Sequence, residues 1–339
     1  MRAALIDRDR VVDLRVERWS DHETRARWGQ MYLARVRRVT RHLNGAFIDL
    51  GLPGEQAFCP LPRDGDPNIA EGRLLVVKVV READAQAGDS KGPVVVVFDP
   101  APPPADKIGL VEDVPPWFGW PGEAEEADQD DIDRIDAAIE AALSVEVPIP
   151  GGGTLAVEQT RAMVAIDVDS GMRPPGAGDP VKYARALNLA AVHEVVRQIR
   201  LRGLGGLICV DFAGPRKRGD PEMITKALNA AFDAERNGGV DAPKTEVLPV
   251  SRFGVAEIAR QKRRASLVNR LCDGTGKPSA ETIALQGLAQ LTEALGRAKG
   301  AVVTLTLPPA AHDWLQADTI GWREALSESV GGRFELTVG

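Results

Sequence analysis

The chain has 339 residues, 44% of them hydrophobic and 27% charged, enough for one large core or two to three smaller ones, so a multidomain protein is expected. No stretch approaches the roughly 18 consecutive apolar residues that a membrane helix needs, and residues 1–8 lack the apolar core of a secretory leader, so the expected location is the cytoplasm. Cys59, Cys209 and Cys272 are odd in number and far apart, which argues against a disulfide framework and against a cysteine pair with metal-ligand spacing.

The formal net charge of −7 speaks against a nucleic-acid binder until the charges are located. Residues 121–140 hold nine acids against the single base Arg134, a local −8; subtracting that from −7 leaves +1 for the rest of the chain. Basic residues gather in three runs, 25–41, 197–218 and 252–270. A charge run usually marks a solvated face, yet three of them flanking apolar strands shift the reading toward a phosphate-binding surface.

Apolar residues over 3–6 and 11–16 flank a polar turn and read as a hairpin; residues 1–24 are expected to pack it on the central region. Residues 25–98 contain short β-rich runs at 31–36, 45–50, 74–80 and 94–98 separated by turns, the pattern of a small barrel such as the five-stranded OB-fold. Prolines and the acid run make residues 99–131 a linker. Residues 132–143 place isoleucine and leucine at helical spacing, and strands follow at 155–158 and 162–168. A long helix over 184–201 feeds an apolar strand over 206–212, which indicates an α/β domain with a mostly parallel or mixed sheet. A helix is expected over 223–235, a strand over 245–250 and a basic helix over 255–264. The tail, with helices at 281–295 and 310–315 and strands at 302–307 and 334–338, makes a small α+β unit.

Two aspartates, Asp167 and Asp211, each lie at the carboxyl end of a buried-looking strand, where open α/β sheets form their ligand sites. Two close carboxylates repel unless a proton or cation sits between them. Magnesium favours one or two carboxylates with several retained waters, and such a site hydrolyses phosphodiesters. The competing reading is structural: Asp167 caps a turn with Ser170 and Gly171, and Asp211 simply ends its strand. Asp169 is either a further ligand, a support for one, or the start of that turn.

These segments carry a family resemblance. Residues 157–171, 188–191, 197–212 and the Ser251-Arg252-Phe253-Gly254 turn resemble the catalytic signature of the ribonuclease E/G family. The resemblance implies a nuclease domain similar to DNase I, with magnesium (manganese as a substitute) held by Asp167 and Asp211, and products ending in a 5′-phosphate and a 3′-hydroxyl. The family has asparagine where this chain has Asp169. Residues 35–39, 45–51 and 57–58 resemble the family's OB-fold RNA-binding module, which implies that Phe47 and Phe58 stack bases and that Lys91 is a nearby basic contact. By itself, a phenylalanine in a β-run is more often core. Arg37, Arg197, Arg200, Arg252 and Lys262 are further candidates for phosphate contacts, with surface ion pairs as the alternative.

Two departures from the family pattern stand out. Only residues 99–150 occupy the interval that in the family holds a 5′-monophosphate sensor and most of an RNase H-like subdomain, so indifference to the RNA 5′ end is expected. Residues 271–276 resemble half of a zinc-sharing cysteine link, with Asn269 where the first cysteine belongs, so no zinc is expected.

The resulting expectation is an α+β and α/β multidomain chain. It comprises the hairpin region (1–24), an OB-fold module (25–98), a linker (99–131), a DNase I-like mixed-sheet nuclease domain with a preceding helix (132–268), a degenerate zinc link (269–276) and a small C-terminal domain (277–339). The expected function is endoribonucleolytic cleavage of single-stranded RNA in processing or decay, by a homo-oligomer, a dimer first, formed through residues 277–339 or another apolar face. A catalytically weak RNA-binding scaffold or chaperone of the same fold is the alternative.

Overall fold

The computed structural model describes the chain apart from residues 19–20, 22–23, 63, 67–68, 87–88, 100–106, 172–177, 215–216, 299–301, 319 and 331–332, and apart from the side chains of 84–90 and 329–332. Two compact units are present: one comprises residues 1–17 and 24–267, the other residues 18–23 and 268–339.

In the larger unit, β1 (Arg2–Asp7) and β2 (Arg10–Val16) form the expected antiparallel hairpin, turned by Arg8 and Asp9 at φ 47° and 64°. The barrel follows with β3 (Met31–Thr40), β4 (Gly45–Asp49), β5 (Gln56–Pro60) and β6 (Leu74–Arg81). A small hairpin of β7 (Asp84–Gln86) and β8 (Asp89–Lys91) leads into β9 (Val94–Asp99). The order β3-β4-β5-β9-β6 closes back on β3, with β5 and β9 parallel and every other pair antiparallel, a closed five-stranded OB-like barrel. Alternation fills its interior: Ala46, Ile48, Ala57, Cys59, Leu75, Val77, Val79 and Val95 all point inward and are buried.

The interval read as a linker is corrected in part. Residues 109–112 form β10 (Gly109–Glu112), which adds to the edge of β3, and Phe118 packs its ring 5.0 Å from that of Trp28. Apolar residues hidden among the prolines supply this packing. The prolines at 100 and 102–104 that marked the linker lie outside the described residues. The end of the acid run is the start of α1 (Gln129–Leu143): Asp128 caps it by accepting from the Asp131 amide at 2.9 Å, and acids in the first turn suit the positive end of the helix dipole.

Next come β11 (Glu146–Pro148), β12 (Thr154–Gln159), β13 (Val164–Asp169), α2 (Pro180–Leu201), β14 (Gly206–Asp211), α3 (Asp220–Asn237), β15 (Thr245–Val247) and β16 (Val255–Arg260). The sheet order is β11-β12-β13-β14-β16-β15, and only β13–β14 is parallel, the pair bridged by α2. The sheet is therefore mixed. The basic helix expected over 255–264 is instead the strand β16, because Ala256, Ile258 and Arg260 turn inward while Glu257 and Ala259 face out, a period of two.

Helix α2 starts where Asp179 accepts from the Val181 amide at 2.9 Å with Pro180 in the first turn, and it ends at Gly203, whose φ of 64° suits glycine. Its buried face (Leu187, Ala191, Val195, Ile199) packs with α3 (Ile224, Leu228, Phe232) on Val164, Ile166, Val168, Ile208 and Val210 of the sheet. Each large apolar side chain so buried contributes about 1.5–3 kcal/mol.

The smaller unit runs from the last residues of α4 (Leu267–Leu271) through α5 (Ala280–Arg297), β17 (Val303–Leu307), α6 (Pro309–Gln316), α7 (Trp322–Val330) and β18 (Phe334–Val338), with β17 and β18 parallel. Helix α7 was not anticipated. Its Trp322 is buried and donates its indole N–H to the Leu315 carbonyl at 2.9 Å. Residues 269–276 form a turn in this unit, in which Asp273 accepts from the amides of Thr275 (2.8 Å) and Lys277 (3.2 Å). Arg18 bonds Thr282 and pairs with Glu281, so part of the region assigned to the N-terminal hairpin belongs with this unit.

Candidate active site

Strands β13 and β14 lie side by side and run in the same direction, and in their register Asp167 and Asp211 are direct partners. Neighbouring strands sit about 4.8 Å apart. Val164, Ile166 and Val168 point into the helix-covered core, so Ala165, Asp167 and Asp169 point to the opposite face, where both aspartates are exposed. The same alternation puts Leu207, Cys209 and Asp211 on that face. Three rows result on these two strands: an apolar row of Met163 and Leu207, a small row of Ala165 and Cys209, and a charged row of Asp167 and Asp211.

Partial burial, then the charges of Asp211 and Asp169, push the Asp167 carboxyl above its ordinary range. Asp169 accepts from the Gly171 amide at 2.9 Å, so it opens the turn after β13 while adding its charge to the pair. Among the described residues, no group of three or more histidine, cysteine, aspartate or glutamate side chains is gathered to hold a metal. Burial, then the charge of Glu257, pushes the free Cys209 thiol up, which favours its protonated form.

Two further elements frame the carboxylates. The Ser251–Gly254 turn enters β16 opposite Asp211, and the Gly254 carbonyl accepts from the Phe212 amide at 3.1 Å. This turn holds up an exposed pair: the Arg252 guanidinium lies 4.8 Å from the centroid of the Phe253 ring, which is 67% exposed. Behind the site, buried Asn188 of α2 donates to the Ala213 carbonyl at 2.9 Å and accepts from the Ala213 amide at 3.0 Å. That two-point bond anchors the chain leaving Asp211. Asn188 was visible only as part of a motif, since nothing local in the sequence announces its partner.

On the barrel, Phe47 and Phe58 are cross-strand partners on the outer wall, with ring centroids 5.7 Å apart in an edge-to-face arrangement. They are not core residues. A Cβ at Gly45 would fall 2.0–2.9 Å from the Phe58 ring, so the ring lies against bare backbone. Arg38, which sequence reading left within a basic run, places its guanidinium 5.1 Å from the Phe47 centroid. Arg37 is exposed and its Nε donates to Asp49 at 2.9 Å, and Lys91 stands exposed on β8.

Two of the arginines named as candidates for phosphate contacts are engaged in ion pairs, the alternative that the sequence leaves open. Arg197 donates to the Val11 carbonyl at 2.9 Å and pairs with the buried Glu194 at 2.7 Å, fastening the hairpin to α2. Arg200 is largely buried, 3.5 Å from Glu235, which also takes both arms of the buried Arg260 at 2.7 and 3.0 Å. Arginines on an amphipathic helix look alike in sequence whether they meet solvent or a buried acid. Arg252 and Lys262, by contrast, stay on accessible surfaces.

An OB-like barrel and an open-faced mixed sheet with two in-register carboxylates thus share one compact unit. Residues 125–263 match the model of the ribonuclease E/G family. Similar proteins include ribonuclease E of Escherichia coli (strain K12), 35% identical over 42% of this chain and 13% of that protein, and a chloroplastic ribonuclease E/G-like protein of Arabidopsis thaliana, 34% identical over 44% and 15%. Ribonuclease G of Haemophilus influenzae is 30% identical over 42% of this chain and 28% of that protein. Over this segment the chain is similar to the ribonuclease E/G family. The match spans less than a third of the length of any of these three relatives.

Proposed function

We propose that this protein is an endoribonuclease that cleaves single-stranded RNA by metal-assisted phosphodiester hydrolysis. One observation carries the reading: Asp167 and Asp211 are paired in register at the carboxyl ends of adjacent parallel strands, on the face of the sheet turned to solvent. The upward shift of Asp167 beside its neighbours is the electrostatic mark of a site that would gain from added positive charge. Two exposed carboxylates side by side fit the donor set of magnesium, which takes one or two carboxylates and retains water.

Asp167 and Asp211 would hold the ion, with Asp169 adding negative charge from the adjoining turn. When bound, magnesium or manganese neutralises charge on the scissile phosphate and activates water. The chain's own residues do the positioning. Phe47 and Phe58 offer ring surface to unpaired bases, Arg38 and Lys91 bring positive charge to the same wall, and Arg252 sets a cation at the mouth of the carboxylate row. Asn188 holds the backbone beyond Asp211, and the family resemblance assigns a 5′-phosphate and a 3′-hydroxyl to the products.

The reading extends to a cytoplasmic homodimer joined through residues 277–339 without zinc, active in RNA processing or decay and indifferent to the RNA 5′ end. Incubation of the purified protein with end-labelled single-stranded RNA, with magnesium and with chelator, tests the core of it. Metal-dependent internal cuts are expected, at equal rates on 5′-monophosphate and 5′-hydroxyl substrates and with no stoichiometric zinc on elemental analysis. RNA bound but left intact would establish the scaffold reading instead, and cutting in chelator would remove the metal from the mechanism.

A further inference from the structure

The sheet face that carries Asp167 and Asp211 is crowded with negative charge. Exposed Glu158 is the register partner of Ala165, exposed Glu257 is the partner of Cys209, and Asp169 closes β13, so five carboxylates share the open side of β12, β13, β14 and β16. One divalent ion would offset only part of that charge, and the rest repels a phosphate chain laid on the face. Attraction that does not depend on charge is worth most in such a place. Base stacking on an aromatic ring is of that kind.

One ring stands at the end of this face. Residues 251–254 form a tight turn in which the Ser251 carbonyl accepts from the Gly254 amide at 2.9 Å, with serine first and glycine last (φ 88°), the residues such turns favour. The Ser251 hydroxyl accepts from the amides of Phe253 at 3.3 Å and Val255 at 3.2 Å, which fixes the turn from within. Arg252 and Phe253 are thereby left at its tip. Val255, two residues on, is the direct register partner of Asp211, and two residues span at most about 7 Å. Phe253 is the most exposed phenylalanine among the described residues, so its ring adds little to the core. The Arg252 guanidinium braces that ring and sets the turn's positive charge beside it.

We propose that Phe253 is a specificity-determining residue: its ring stacks on an unpaired base next to the phosphate that is cut, while Arg252 holds the ring and meets a neighbouring phosphate. The inference rests on the endoribonuclease reading and deepens it by naming what the cutting site itself selects. A base within a duplex offers its faces to neighbouring bases and none to a protein ring, so a stacking requirement beside the carboxylates restricts cutting to unpaired positions. This selection is separate from Phe47 and Phe58, which stand on the barrel and not on this sheet.

The test is a cycle between ring and base. Single-stranded RNAs carrying one abasic nucleotide, placed in turn on each side of a mapped cut, are compared with the intact RNA for kcat/KM in the parent protein and in Phe253→Ala. In the parent, loss of the base at one flanking position is expected to lower kcat/KM about tenfold, within the range that stacking on one ring supplies. Phe253→Ala should lower cutting of the intact RNA by the same factor and show no further loss on the abasic RNA, and Phe253→Trp should restore both. The melting temperature of Phe253→Ala should match that of the parent, because the ring removed is an exposed one. Phe47→Ala should keep the full abasic penalty. Parental kcat/KM for the intact RNA in Phe253→Ala overturns the proposal, as does an abasic penalty that survives loss of the ring. If the protein binds RNA without cutting it, 2-aminopurine is placed at successive positions of the bound strand. A fluorescence change at one position that Phe253→Ala abolishes keeps the stacking site and removes the nuclease, whereas no such position removes the stacking site as well.

Discussion

The barrel and the mixed sheet use one rule, period-two alternation, to opposite ends. The closed barrel buries one side of every strand in a sealed interior and spends the other side on exposed rings and guanidiniums, Phe47, Phe58 and Arg38. The sheet buries one side under α2 and α3 and spends the other on carboxylates, Asp167 and Asp211. A wall that holds a polyanion by stacking carries positive charge; a site that recruits a cation carries negative charge. The comparison teaches that a ring-and-guanidinium surface and a carboxylate surface are separated by electrostatic sign within one compact unit, which on the proposed function would divide binding from chemistry.

The sharpest way to break that division is at the carboxylates. Asp211→Asn and Asp167→Asn each remove a ligand charge and almost no volume, so cleavage should fall at least about a thousandfold. RNA affinity should stay within about twofold, because the barrel wall is untouched. Parallel turnover and filter-binding measurements decide it. Near-normal turnover in either variant would show that the paired aspartates are structural.

A second comparison sets the arginines that hold the fold against those that face solvent. Arg260→Gln leaves Glu235 buried without its two-armed partner and should cost about 3–5 kcal/mol in urea unfolding. Arg197→Gln should also lower stability, since it frees the hairpin carbonyl and strips the buried Glu194 of a partner. Neither should alter the RNA affinity of the folded protein. A stable Arg197→Gln protein with weakened RNA binding would restore the phosphate-contact reading.

Those arginines mark the limit of what the sequence discloses. Asp167 was legible because its neighbours, Val164, Ile166 and Val168, declare a buried strand and leave it as the exception on the outer face. The barrel was legible from the same alternation, and its position among the closed barrels follows from strand order, which no local pattern contains. Strand β16 was misread because Glu257, Ala259 and Arg260 are residues that also favour helices, and six residues are too few to separate the two periods. The partners of Arg200 and Asn188 lie 35 and 25 positions along the chain, and only tertiary packing brings them together.

On the barrel side, Phe47→Ala and Phe58→Ala should each weaken single-stranded RNA binding by about 1–3 kcal/mol. Both rings sit on the outer wall, so the melting temperature should move little compared with a buried truncation. Because the two rings touch, their effects should be less than additive in the double variant, which a double-mutant cycle reads directly. Large destabilisation with unchanged affinity would make them a structural pair.

The smallest expected effect is a test of the electrostatic sign at the site. In the unfolded chain Asp167 releases its proton near the ordinary value of about 3.9, whereas in the folded protein burial, Asp211 and Asp169 hold that proton to higher pH. As pH rises through that window, the folded state loses stability relative to the unfolded state. The carboxamide introduced by Asp167→Asn has no such proton to lose. This variant should therefore melt slightly higher than the parent protein at pH 7, and the difference should vanish below the ordinary aspartate range. Magnesium should raise the melting temperature of the parent, since a ligand that binds only the folded state stabilises it, and should do much less for the variant. A variant that melts lower at pH 7, with an undiminished response to magnesium, would mean that protein donors already satisfy the Asp167 carboxylate and that the cation sits elsewhere.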